Sequence, residues 1–209
     1  MAQVVLMPKF DFKKTPPYRA STKFEIVDMP AAKYLMIDGH GDPNTDPIYE
    51  RALQTLYPVA YKIKFASKES GRDYVVPPLE GLWWAEDMDS FTRSRDKSKW
   101  LWTMLLAVPE WITEVDVAQA VELANRSGKF SEPQLLRLDS LDEGLCVQVL
   151  HHGSYDDEAS VLAQMHQYID EQGLQLSSKH HEIYLSDPRR VQPENLRTIL
   201  RQPVTQKSN

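Results

Sequence analysis

The segment HHEIYLSDPRR, residues 180–190, holds the residues best suited to chemistry. Glu182 and Tyr184 are two apart in an apolar, strand-like run, so their side chains share one face. A carboxylate on a half-buried face is costly unless something pairs with it. A carboxylate of this kind can orient and deprotonate a water molecule, and a neighbouring phenol can donate to a developing oxyanion. The segment DYVVPPLEGLWWAED, residues 73–87, offers a similar face with Glu80, Leu82 and Trp84, while Trp83 points the other way and is expected to pack under a helix. Brought together, the two faces would line a cleft with aromatic rings and one or two carboxylates. Trp102, Trp111 and Tyr155 are further candidates for its walls. Such a slot attracts planar and cationic groups. Desolvation raises the pKa of a carboxylate at its floor, and a cationic partner favours the charged form.

Each of these residues also has a structural reading. Taken alone, Glu182 could as well pair with an Arg or Tyr inside a closed core, since structural networks bury acids too. Glu80, just before Gly81, fits a solvent-exposed strand entry equally well. Trp84, Trp102, Trp111 and Tyr155 each read singly as core aromatics. The pairs His151-His152 and His180-His181 invite a metal site, but neighbours on a strand face opposite ways, so each pair offers one ligand at most to a single site. No HExxH or comparable spacing accompanies them, and no metal or other cofactor is expected. There is no Walker-type loop, no GxGxxG and no GxSxG elbow. The single cysteine, Cys146, lies in an apolar strand, where a thiol is inert.

These residues need strands and helices to place them. KFEIVDM (23–29) and KYLMIDG (33–39) read as strands joined in a hairpin. Asp46-Pro47 reads as an N-cap followed by proline at the first helical position. Tyr49, Ala52, Leu53, Leu56, Tyr57 and Ala60 then keep helical spacing, and Pro58 is expected to kink or end that helix. Residues 73–87 read as two short strands, or one interrupted at Pro77-Pro78. KWLWTMLLAVPEW (99–111) is a strand rich in Trp and Leu, followed by a helix from Thr113 to Ser127. QLLRLDS (134–140), GLCVQVLHHG (144–153) and HEIYLSD (181–187) are strands. Between the last two runs a helix opened by Ser154, with Val161, Leu162, Met165, Tyr168 and Ile169 inward and Gly173 placed to end it. Pro193-Glu194 is expected to start a short helix, NLRTILRQ. The polar loop 86–98 is long enough to cover a cleft.

Strand, strand, glycine turn, helix, strand thus occurs twice. Gly41 and Gly153 each precede the helix, and Leu53 and Met165 keep the same offset. Asp87 and Asp187 each close the last strand, which makes Trp84 and Tyr184 equivalents. A repeat of this size implies two half-domains related by a pseudo-two-fold axis, neither able to bury its sheet face alone. The organisation is an irregular arm, residues 1–22, with four prolines, then one domain over 23–204 whose halves divide near residue 98. The fold class is α+β.

With 24 Lys and Arg against 30 Asp and Glu, the net charge of -6 argues against a nucleic-acid surface. The cluster TRSRDKSK (Arg93, Arg95, Lys97, Lys99) is short, is interrupted by Asp96 and reads as a solvated loop. One cysteine rules out an intrachain disulfide and fits a reducing cytoplasm. The N-terminal MAQVVLMPKFDFKK lacks the pattern of a signal peptide, and no apolar stretch reaches membrane-spanning length. A cytoplasmic protein without membrane or nucleic-acid partners, monomeric or homodimeric, is the expectation.

HEIYLSDPRR followed by PENLRTILRQPV resembles the C-terminal signature of the GyrI-like small-molecule-binding proteins. GLCVQVLHHGSYDDE resembles the central strand-turn-helix of that family, and DYVVPPLEGLWWAED a feature of its stand-alone, SAV2435-like branch. Together these segments cover about residues 20–204. The resemblance implies a duplicated βαββ-type fold with a central ligand cleft, and ligands that are small, planar, amphipathic and often cationic. It places Glu182 at the pocket centre. It implies one of three activities: hydrolysis of the strained cyclopropane of DNA-alkylating natural products, a detoxification; non-catalytic drug binding or sequestration; or a topoisomerase-inhibitor-like interaction. In the hydrolase reading Glu182 is the base, Tyr184 the donor and Glu80 a second acid or base, with Trp84, Trp102, Trp111 and Tyr155 around the substrate. The chain has no helix-turn-helix to spare for a transcription regulator.

Overall fold

The computed structural model describes residues 8–86, 96–126 and 135–207. Their strands are β1 (Phe10–Asp11), β2 (Glu25–Met29), β3 (Ala32–His40), β4 (Tyr74–Val75), β5 (Glu80–Trp84), β6 (Leu101–Val108), β7 (Arg137–Leu141), β8 (Gly144–His152), β9 (Leu174–Leu176), β10 (His180–Tyr184) and β11 (Arg197–Gln206). The helices are α1 (Pro47–Glu69), α2 (Glu114–Asn125) and α3 (Glu158–Glu171). Asp87, most of loop 86–98 with Arg93 and Arg95, Ser127 and Gln134 lie outside the described residues.

Local chemistry accounts for the helix starts. The Asp46 carboxylate accepts from the Ile48 N–H, and Pro47 opens α1. Thr113 and Asp116 form a reciprocal capping box on α2. Before α3, Ser154 donates to Asp157 instead of capping, and a 3₁₀ turn over Tyr155–Asp157 precedes the helix. Pro58 does not end α1, which runs on to Glu69. One missing N–H is tolerated because Val59, Ala60 and Ile63 are fully packed on the sheet and hold the following turns in place.

One antiparallel sheet runs in the order β2-β8-β11-β10-β5-β6-β3-β7, with β9 on β11; β1 and β4 form a separate parallel pair. The order is symmetric about the β10–β5 contact. The expected hairpin between residues 23–29 and 33–39 does not form. Its linker, Pro30-Ala31, cannot adopt the positive φ angles of a two-residue hairpin turn, and β2 pairs with β8. In the same way β7 pairs with β3, so each half lends an edge strand to the other. Met29 and Ala32 are three residues apart, a reach of at most about 11 Å. The two edges of the sheet therefore lie close, and the sheet curls into a half-barrel.

The ladders also correct the matching of the halves. On one side Ile37, Met104 and Gly81 lie in one row across β3, β6 and β5. On the other, Val149, Leu200 and Glu182 lie in the matching row across β8, β11 and β10. Gly81 is thus the mate of Glu182, Trp83 of Tyr184 and Glu80 of His181. Trp84 and Tyr184 are one residue out of step, because the ladder sets register and the ends of strands do not. Gly81 and Glu182 face each other directly, so the pseudo-axis passes between them. The segment NLRTILRQ is not a helix. After one 3₁₀ turn at Pro193–Asn195 it becomes β11, a central strand buried on both faces between β8 and β10. Double burial hides the alternation by which a strand is recognised.

The sheet separates two cores. On one face α1, α2 and α3 cover Leu35, Ile37, Met104, Leu106, Val147, Val149 and Leu200. On the other, the arm places Phe12 and Tyr18 against Tyr34, Leu82, Leu105 and Ile199.

Candidate functional site

Strands β5 and β10 run through the middle of the molecule, and their faces meet different surroundings. Opposite residues of a ladder share a face. His180, Glu182 and Tyr184 therefore share theirs with Trp83, Gly81 and Leu79. This is the helix face. Between α1 and α3 it forms the floor of a cleft of about 1960 Å³. Tyr49, Leu53 and Tyr57 of α1 make one wall, Leu162, Ala163 and His166 of α3 the other, and Pro77 and Pro78 close a side.

At the floor, Tyr184 Oη donates to Glu182 Oε2 at 2.7 Å and accepts from Trp83 Nε1 at 2.9 Å. The other carboxylate oxygen, Oε1, is 3.5 Å from His180 Nε2. The Glu182 side chain keeps 13% of its surface accessible. Burial first, then the charge of Glu182, holds the Tyr184 hydroxyl far above its ordinary value, so it remains a proton donor. Tyr155 meets the Tyr184 ring edge-on at 5.7 Å. Its hydroxyl is pushed up to about 12 by burial and then by Glu158, Glu182 and Asp187. Gly81, the mate of Glu182, leaves its place open for the Trp83 indole. A Cβ there would lie 2.6 Å from Trp83 Nε1. The vacant half of the axis is thus filled by an aromatic ring, not by a second carboxylate.

Among the described residues, six carboxylates line the cleft against three Lys or Arg side chains. The Lys97–Asp156 and Arg189–Asp187 pairs cancel two of the basic charges. Glu158, 3% exposed at the start of α3, is the second deep carboxylate. The cleft is therefore aromatic, roomy and negative.

Of the residues expected here, Glu182, Tyr184 and Tyr155 meet in the cleft. Glu80 and Trp84 do not, because the true register turns them to the other face. Glu80 is 1% exposed, accepts from the Tyr18 hydroxyl and lies 3.0 Å from His181 Nε2. Trp84 packs beside the arm core, with Lys179 Nζ 3.5 Å above its ring. Trp102 is fully buried beneath α1, edge-on to Tyr49, in space that its ladder partner Gly39 leaves free. Trp111 donates to Ser67 Oγ at 3.0 Å and packs on Phe10, away from the cleft. Trp83, Tyr49, His180 and Glu158 were not anticipated. The helical spacing of Tyr49, Leu53 and Tyr57 was a usable signal for one wall, whereas Trp83 needed the register.

Among the described residues no group of three or more His, Cys, Asp and Glu side chains is placed to hold a metal ion. Among them, too, no helix is long and apolar enough to cross a membrane.

The family described as GyrI-like small molecule binding domain matches residues 22–205. The chain belongs to it. Among solved structures, an uncharacterized conserved protein from Listeria innocua is 39% identical, with a TM-score of 0.87, over 94% of this chain and 100% of the other. A hydrolase from Listeria innocua is 38% identical, with a TM-score of 0.82 and the same two coverages. The EcmrR C-terminal domain, 12% identical with a TM-score of 0.58 over 88% of this chain and 98% of the other, shares the fold. No curated protein matches. In this GyrI-like chain the cleft between α1 and α3, centred on the pseudo-axis, is the candidate small-molecule site.

Proposed function

We propose that the cleft binds small planar hydrophobic compounds, cationic ones included, and hydrolyses those that carry an activated cyclopropane. The observation that carries this reading is Glu182: a carboxylate on the cleft floor, held by a phenol that stays protonated and bordered by Trp83 and Tyr155. The rings supply stacking surfaces, and the negative lining favours cations. The 38% identical hydrolase supports the catalytic part.

The chemistry is an addition of water. Glu182 orients a water molecule and takes its proton. The water oxygen bonds to a cyclopropane carbon, a ring C–C bond breaks, and its electron pair moves through the conjugated dienone to the carbonyl oxygen. That oxygen becomes a phenolate and is then protonated. In the resting site the Tyr184 proton is directed at Glu182. Protonation of Glu182 by the attacking water weakens that bond and releases Tyr184 to donate to the new oxyanion. Glu80, sealed on the far face, has no part.

The test incubates purified protein with a cyclopropanoid alkylator and follows product mass, beside Glu182→Gln. A gain of one water that depends on Glu182 is the expected result. Equal hydrolysis by Glu182→Gln refutes the assignment. Unchanged compound with quenched tryptophan fluorescence, which Trp83 in the cleft makes a sensitive signal, establishes a binder that sequesters without reacting.

A further inference from the structure

His180 shares the cleft face of β10 with Glu182, and the mechanism above does not use it. It is 4% exposed and stands directly across the ladder from Trp83. His166 of α3 lines both the main cleft and a smaller cavity of about 400 Å³ that also borders Trp83 and His180. His166 is held below its ordinary value by burial and then by His180, so the two imidazoles sense each other. Among the described residues, titratable groups around His180 include Glu182 on its own strand, His166 from α3 and Lys179 beside it in the chain, whose ammonium lies over Trp84. Trp83 from β5 and Gln202 from β11 bring no charge.

Glu182 is therefore contested. One oxygen accepts from Tyr184, and the other faces His180 Nε2 at 3.5 Å. An imidazolium in that position satisfies the second oxygen and cancels the charge of the carboxylate. A neutral imidazole leaves the charge to whatever enters the cleft. We propose that His180 determines which ligand charge the cleft accepts. With His180 neutral, Glu182 is available to a cationic planar compound. With His180 protonated, the cation binds less tightly and uncharged planar compounds bind as before. This rests on the reading that Glu182 faces the ligand, and holds whether or not hydrolysis follows.

The experiment titrates the protein with ethidium, a planar cation with fixed charge, and with Nile red, an uncharged planar dye, between pH 5 and pH 8. The expected result is ethidium affinity that falls by up to about tenfold per pH unit as the pH is lowered across this range, with Nile red unaffected. In His180→Gln the ethidium dependence should flatten. His166→Gln distinguishes the neighbouring imidazole and should keep the dependence. A measurement without ligand stands beside these: the His180 ring resonances followed by NMR between pH 5 and pH 8 should respond to Glu182→Gln, because Glu182 Oε1 lies 3.5 Å from His180 Nε2. Equal ethidium binding at pH 5 and pH 8 overturns the inference while leaving a cation site at Glu182 intact. Ethidium failing to bind at any pH while Nile red binds overturns the cationic reading of the cleft and the inference with it.

Discussion

Glu80 and Glu182 sit on adjacent strands, one residue out of register, yet on opposite faces of the sheet and in opposite circumstances. Beneath the arm, His181 is fully buried with Nδ1 3.0 Å from Glu143 and Nε2 3.0 Å from Glu80. Both nitrogens face carboxylates, so both carry protons and the ring is an imidazolium. Arg201, 1% exposed, donates to Glu143 at 3.1 Å and to Gln148. Two carboxylates and two cations thus balance in a closed network. On the helix face, Glu182 has a phenol, a histidine and open space. The same residue types make a structural lock where every charge is matched and, on the helix face, the floor of the candidate cleft, where Glu182 is proposed to meet a ligand.

Breaking the lock gives the largest expected effect. His181→Ala strips both carboxylates of a partner, and the loss of a buried ion partner costs about 3–5 kcal/mol. Urea unfolding should show it as a lower midpoint. Glu182→Gln should shift that midpoint by less than about 1 kcal/mol, because the amide oxygen still accepts from Tyr184. Under the proposed mechanism its effect falls on function: loss of the general base is expected to slow hydrolysis about 10²–10⁴-fold. Equal destabilisation by the two variants would erase the contrast.

Stability against pH sharpens it next. Burial alone would lower His181, but Glu143 and Glu80 outweigh burial and hold it at about 9 against an ordinary 6.5. Its contribution is complete below pH 6.5 and lost as pH rises through about 9. Burial would raise Glu143, but His181 and Arg201 bring it to about 2 from an ordinary 4.5. Its contribution is complete above pH 4.5 and lost as pH falls through about 2. Unfolding midpoints should therefore be highest between these ranges and decline on both sides. The alkaline decline should vanish in His181→Ala. The smallest effect separates the two neighbouring tryptophans. Trp83→Phe removes the donor to Tyr184 and a cleft wall and should weaken planar ligands by about 1 kcal/mol, read by titration. Trp84→Phe should leave ligand affinity unchanged.

Much of the scaffold was legible in the sequence. Asp46-Pro47, the α1 periodicity and the Glu182–Tyr184 spacing depend on neighbours within a few residues, and such signals are written locally. The face of Glu80 and Trp84 was not, because it depends on how β5 pairs with β10. A slip of one residue turns every side chain over. The closing aspartates Asp87 and Asp187 suggest a register one residue off, which puts Trp84 in the place that Trp83 holds in the cleft. β11 was hidden for a related reason: a strand buried on both faces shows no alternation, and NLRTILRQ has helical composition.

The exchanged edge strands bear on how the protein is made. Among the described residues β2 has no partner in its own half and must wait for β8, whose last residue, His152, follows Met29 by 123 positions. At a synthesis rate of about 5–20 residues per second, the ribosome adds the intervening chain in roughly 6–25 s. Throughout that interval the edge of β2 stands open, as does the place on β3 that β7 will take. Neither repeat can mature while the other is still being translated. Two like halves thus make one polypeptide in which each supplies the edge that completes the other.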